Sequence, residues 1–310
     1  MKFQWKIIFA FSAVYIIWGS TYLAILWVIS EIPPLLMSAI RFMAAGIILF
    51  GWCLWKGEKL PDYSSFVKNS VCGILMLVGG TGAVAWSEQY IPSGLAAVIV
   101  TTVPFWFILL DKRKWSFYFS NKLMIPGLLF GFAGVLLLVG FDSSLSITHD
   151  ENSKAVLGIL VIIAGGIAWT AGSLFSKYNA ANNSILMNAA VQLIVAGFFS
   201  IIVSILSGET RNFDFSTVQT SGWLALLYLV IAGSLIAYLC YLWLIKVRPL
   251  AQVSSYVYVN PVVAVLLGVL FAGEKISLLQ IVSLTIILTG VLLVNTPKYK
   301  IRGKPQLSTS

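Results

Sequence analysis

The sequence predicts an all-α polytopic membrane protein, with ten transmembrane helices arranged as two inverted five-helix repeats. Three observations lead there. The 310 residues are 59% hydrophobic and only 10% charged, where a soluble domain carries about 25% charged residues. That much apolar surface needs lipid as its solvent. The apolar residues fall into ten runs of 18 to 23 residues, close to the roughly 20 that a helix needs to cross the hydrocarbon layer. The last five runs echo the first five, and an odd number of crossings per half sets the copy upside down.

The runs cover 7–28, 33–55, 69–87, 93–110, 123–140, 155–176, 185–206, 221–243, 250–272 and 277–295, and Arg41 is the only formally charged side chain within them. Their continuous apolarity excludes barrel strands, which alternate. The first run follows Lys2 and Lys6 and superficially resembles a signal peptide. It is too long for one, lacks a small-residue cleavage site and precedes nine more runs, so it reads as a retained helix. Cys53, Cys72 and Cys240 all lie inside runs, which points to packing residues rather than a disulfide framework.

Basic residues set the expected orientation. With a cytoplasmic N-terminus, sixteen Lys and Arg residues fall on cytoplasmic segments, against only Lys154, Arg211 and Lys275 opposite. This bias predicts two cytoplasmic termini and an external loop over 141–154. The net charge of +9 then reports topology and attraction to anionic lipid, not nucleic-acid binding. The basic tail over 296–310 is expected to be disordered.

The repeat is clearest in the fourth and ninth runs. Pro92 and Pro249 open them, a second proline follows 12 residues later at Pro104 and Pro261, and Trp86 and Trp243 each stand six residues before the first. The fifth and tenth runs share Gly134-Val135-Leu136-Leu137-Leu138 and Gly290-Val291-Leu292-Leu293-Val294. Trp18-Gly19-Ser20 and Trp169-Thr170-Ala171-Gly172-Ser173 form a looser echo between the first and sixth runs.

Ile17-Trp18-Gly19-Ser20-Thr21, Arg41-Phe42, the Pro92 to Pro104 run, and Asn260-Pro261-Val262-Val263-Ala264 followed by Gly273-Glu274-Lys275 resemble the EamA branch of the drug/metabolite transporter superfamily. The resemblance covers about residues 7 to 295 as two tandem domains, 7–140 and 155–295. It departs after Pro104, where Asp111-Lys112-Arg113-Lys114 stands in place of a Gly-Glu-Lys element. It implies a ten-helix permease for small metabolites, often moved outward, in the plasma (bacterial inner) membrane. Amino acids and amphipathic compounds are the expected substrates, and a monomer is compatible with everything above.

Particular side chains suit such work. Pro104 and Pro261 each remove a backbone hydrogen bond near the bilayer centre, which suits kinks or pivots at a site. Arg41 lies eight residues past Pro33, about 12 Å into its span, and is read as pairing with Glu88 or facing an anionic substrate group. Glu88 is also the candidate for proton coupling. Trp18, Tyr22, Trp86, Trp169, Tyr238 and Tyr256 supply aromatic surface for substrate, with Asn260 a mid-membrane amide beside Pro261. These positions predict one central pocket lined by the first, third, fourth, sixth, eighth and ninth spans. Gly127-Leu128-Leu129-Phe130-Gly131 reads as a close-packing helix face.

Other functions fit less well. An embedded enzyme needs bases, nucleophiles or metal ligands at depth, whereas the one histidine, His149, is placed in the external loop. No catalytic residue, cofactor or metal is called for. A channel would need a filter motif, and none is visible. Direct ATP use is excluded, since no Gly-x-x-x-x-Gly-Lys-Ser/Thr loop occurs.

Overall fold

The structure, a computed structural model, describes residues 2–91, 93–140, 152–179, 181–211, 213–272 and 277–295. Pro92, residues 141–151 with His149, residues 273–276 with the Gly273-Glu274-Lys275 element, and the tail from Thr296 lie outside the described residues, as does the side chain of Tyr22. Everything regular within them is helical.

Helix α1 spans Lys2–Ile29 and α2 spans Pro34–Trp55, the latter starting where proline costs no hydrogen bond. Helix α3 runs Tyr63–Ser87. The fourth expected span is broken into α4, Ser93–Val100, and α5, Val103–Leu110. A short α6, Trp115–Ser120, turns by 90° into α7, Met124–Gly140. The second half contains α8 (Asn152–Tyr178), α9 (Ile185–Leu206) and α10 (Thr220–Val247). It continues through α11 (Leu250–Val253) and α12 (Tyr256–Ala272) to α13 (Leu278–Asn295). Among the described residues eight helices are individually long and apolar enough to cross a membrane. The two remaining expected spans are the broken α4–α5 and α7 with its bent lead-in.

Both broken spans carry adjacent hydroxyl residues at the break. Thr101 and Thr102 bond back to the carbonyls of Val98 and Ile99, and Ser254 and Ser255 to those of Ala251 and Gln252. Each hydroxyl occupies a carbonyl that an interrupted helix leaves without its usual donor. The breaks are not at matched positions: the first directly precedes Pro104, while Pro261 lies inside the continuous α12. Proline therefore starts a helix in one half and lies inside one in the other. A second pair of irregularities does match. Ile74–Gly82 within α3 and Leu229–Ala237 within α10 are both wound as π-helix for 9 residues, a geometry that recurs at functional sites.

The two halves interleave rather than lie side by side. Helix α2 packs on α9, and α7 on α13; α3 packs on α8 as α10 packs on α1; α12 packs on α1 as α4 and α5 pack on α8. Exchanging the first five spans with the last five leaves this pattern unchanged, which is the contact signature of a pseudo-two-fold repeat.

Glycine seals the two pairs that meet their own counterparts. A Cβ at Gly290 would stand 2.4 Å from the backbone nitrogen of Gly131, and one at Gly127 would stand 2.9 Å from the carbonyl of Gly290. At the other seam, a Cβ at Gly46 would meet the nitrogen of Ile194 at 2.7 Å, and one at Gly197 that of Met43 at 2.7 Å. Small residues let helices approach backbone to backbone where lipid offers no hydrophobic drive. Aliphatic and aromatic side chains such as Phe9, Ile47, Leu224 and Leu292 cover the outside, as lipid contact requires.

Gly290→Ala is expected to cost about 1–3 kcal/mol by overpacking the seam, and to lower the yield of monodisperse protein in detergent. Gly51→Ala, at a position with open space around it, should leave that yield unchanged.

Candidate functional site

One cleft lies between the interleaved halves. Trp18, Thr21 and Ile25 of α1 face Ile162, Gly165, Gly166 and Trp169 of α8 across it. The π segments contribute Gly80 and Thr81 from one half and Gly233 and Ser234 from the other. Val100 and Val103 flank the first break; Tyr256 and Asn260 follow the second. All six expected helical spans contribute, and α2 and α9 add Arg41, Phe42 and Leu193.

The two tryptophans are the centre of the wall. Their rings meet edge to face at 5.6 Å, and Trp18 meets Tyr256 at 4.8 Å. Trp18 Nε1 donates to the Gly233 carbonyl at 3.2 Å, within the π segment of α10. Trp169 presses on Gly80, where a Cβ would be 2.8 Å from its ring. Each tryptophan thus rests on a glycine in the π segment of the opposite half.

Arg41 is buried, donates from Nε to Ser234 Oγ at 2.8 Å and lies over the ring of Phe42. The expected alternative, an ion pair with Glu88, is absent among the described residues. Glu88 is one residue beyond α3 and off the cleft wall.

Of the aromatic and amide candidates, Trp18, Trp169, Tyr238, Tyr256 and Asn260 line the cleft together with Arg41. Trp86 instead meets Tyr90 with ring centres 4.9 Å apart and planes tilted by 59°, and is not part of the wall. Pro104 is buried beside the lining residue Val103, and Pro261 adjoins Asn260. Thr21, Thr81 and Ser234 were not singled out from sequence. The repeated Gly-Thr and Gly-Ser pairs at 80–81 and 233–234 were the available signal.

Two polar clusters lie toward the face that carries Lys6, Lys56, Lys112, Lys177 and Lys246. In the first, Tyr238 OH donates to Gln192 Oε1, Gln192 Nε2 to Asn69 Oδ1 at 2.9 Å, and Asn69 Nδ2 to Asn188 Oδ1 at 2.8 Å. In the second, buried Asp111 accepts from Tyr118 OH and Tyr178 OH, both at 2.7 Å. Lys177 Nζ donates to the Ile245 and Arg248 carbonyls beside it. These bonds join α3 to α9 and α10, and the end of α5 to α6 and α8.

Burial pushes the Glu88 carboxyl up to about 7. The folded protein then holds this proton more tightly than the unfolded chain does. Stability therefore falls as pH rises from the ordinary glutamate range through about 7 and levels off above it. Glu88→Gln should flatten that fall, read as the thermal-inactivation midpoint of detergent-solubilised protein across this window.

Comparison with known proteins places the chain. The model of the EamA-like transporter family matches residues 4–140 and again 156–296. A protein described as "Uncharacterized inner membrane transporter YedA" of Escherichia coli (strain K12) is 37% identical over 297 residues, covering 96% of this chain and 92% of that protein. "Uncharacterized transporter YvbV" of Bacillus subtilis (strain 168) is 25% identical, over 91% of this chain and 88% of its own length. A solved structure described only as a crystal structure of a protein has the same fold, with a TM-score of 0.74 at 21% identity over 94% of this chain and 97% of that one. With both five-helix halves matched in tandem, the chain belongs to the EamA-like transporter family and is a multi-pass membrane transporter.

Proposed function

We propose that this chain is a secondary transporter that exports small amphipathic metabolites, amino acids among them, from the bacterial inner membrane by alternating access. The observation that carries the reading is the aromatic cleft between the interleaved repeats, to which spans of both halves contribute. Such repeats can exchange conformations, so that a site open to one side becomes the same site open to the other. The sixteen-to-three division of basic residues supports two cytoplasmic termini. The two polar clusters then act as the cytoplasmic gate, with Asp111 and Gln192 at their centres. Pro104, beside the α4–α5 break, and Pro261, within α12, are the pivots around which the gates move, and the six lining residues named from sequence contact substrate. Trp86 and Tyr22 are assigned peripheral and direct contact, respectively.

Reconstitution in proteoliposomes tests this. A carrier shows saturable flux and counterflow of loaded metabolites, and a channel shows neither. Trp18→Ala and Trp169→Ala should each reduce flux at least about tenfold, since each removes aromatic contact and a buried side chain from the wall, while the protein stays monodisperse. Normal flux in both would mean that substrate passes elsewhere. Pro104→Ala and Pro261→Ala should slow turnover more than they weaken substrate binding. A reporter fused after Asn152 that proved cytoplasmic would reverse the orientation.

A further inference from the structure

We propose that Arg41 anchors an anionic group of the solute, so that the cleft selects amphipathic anions, carboxylates foremost, over neutral or cationic molecules of the same shape. This rests on the reading of the cleft as the transport site. Arg41 is 5% exposed and lines the cleft in the interior of the bundle. A guanidinium carries five N–H donors and stays charged. Here only Nε is engaged, by Ser234. Among the described residues no hydrogen bond or ion pair engages Nη1 or Nη2.

The surroundings hold that charge without neutralising it. A Cβ at Gly233 would lie 2.7 Å from Nη2, so the glycine makes the room the guanidinium occupies. Two acids at the outward end are engaged elsewhere: Glu31 accepts from the Gln219 nitrogen, and Glu209 from the Leu36 nitrogen and Ser204 Oγ. Among the described residues no Asp or Glu lines the cleft, Glu88 included. A lone buried cation is expensive, and a partner of opposite charge relieves much of the cost. The molecule that enters the cleft is the remaining source of that partner.

One further polar atom defines the rest of the solute. Asn260, 3% exposed, has an unpartnered Oδ1 and belongs to the same wall as Arg41. An unpaired buried acceptor costs free energy until satisfied. The cleft therefore suits a solute with an anionic head at Arg41, an apolar or aromatic body against Trp18 and Tyr256, and an N–H or O–H group for Asn260.

The test uses three probes of matched size, 3-phenylpropionate, 3-phenylpropanol and 3-phenylpropylammonium, titrated calorimetrically into the full-length protein in nanodiscs. Phenylpropionate should bind at least about tenfold more tightly than the other two, the scale of one charge-assisted contact. Arg41→Gln should abolish that preference, and Arg41→Lys should retain part of it, since a point charge replaces a planar fork. Ser234→Ala keeps the charge but frees Nε. It should weaken phenylpropionate selectively, and it serves where the Arg41 variants fail to fold. A wild-type protein that prefers the alcohol or the amine, or an Arg41→Gln variant that keeps the anion preference, overturns the inference while leaving the cleft as the site. Absence of binding by all three probes overturns both readings.

Discussion

Backbone-to-backbone contact across glycine is the constraint on which the rest of this structure depends. In hydrocarbon, apolar side chains gain nothing by leaving lipid for one another, so helices are held by close packing and by hydrogen bonds. The α2–α9 and α7–α13 seams supply the close packing, through Gly46 and Gly197 in one and Gly127, Gly131 and Gly290 in the other. These four helices tie each half to its counterpart. The remaining six spans are thereby held far enough apart to enclose a cleft.

Inside that frame, polar atoms do the second kind of work. The hydroxyl pairs at 101–102 and 254–255 occupy carbonyls at helix breaks. Trp18 takes a carbonyl of the α10 π segment, and amide side chains bridge α3, α9 and α10. An unsatisfied backbone group at this depth would be expensive. Irregular helix is tolerated here because it adjoins protein or the cleft rather than lipid. The cleft's polarity and the gate's polarity are thus products of the same requirement.

Much of this was legible in the residues. Apolar run lengths located the helices, and the paired prolines and tryptophans disclosed the repeat. Trp18, Arg41, Trp169 and Asn260 stood out because polar or bulky groups are unusual at their depth. Other features left weaker traces. Trp86 follows the wall residue Ala85 in sequence, yet its ring meets Tyr90 and not the cleft. The Arg41 to Glu88 pairing was reasonable by charge, but Ser234, 193 positions away, is what the fold brings to the guanidinium. The π segments carry no composition of their own, since Ile74–Gly82 and Leu229–Ala237 are apolar and glycine-containing like their neighbours. Their winding is set by the tryptophans and helices that press on them.

The Gly131–Gly290 contact also limits how this protein can change over generations. Where side chains meet, enlarging one can be compensated by trimming its neighbour. Here the neighbour is already glycine, and the atom approached is main chain. No second-site truncation can restore the fit. A chain that has gained a methyl group at this seam recovers only by sliding α13 as a body. Suppressor substitutions should therefore arise at the ends of α13 and in the segments that tether it, away from the seam itself.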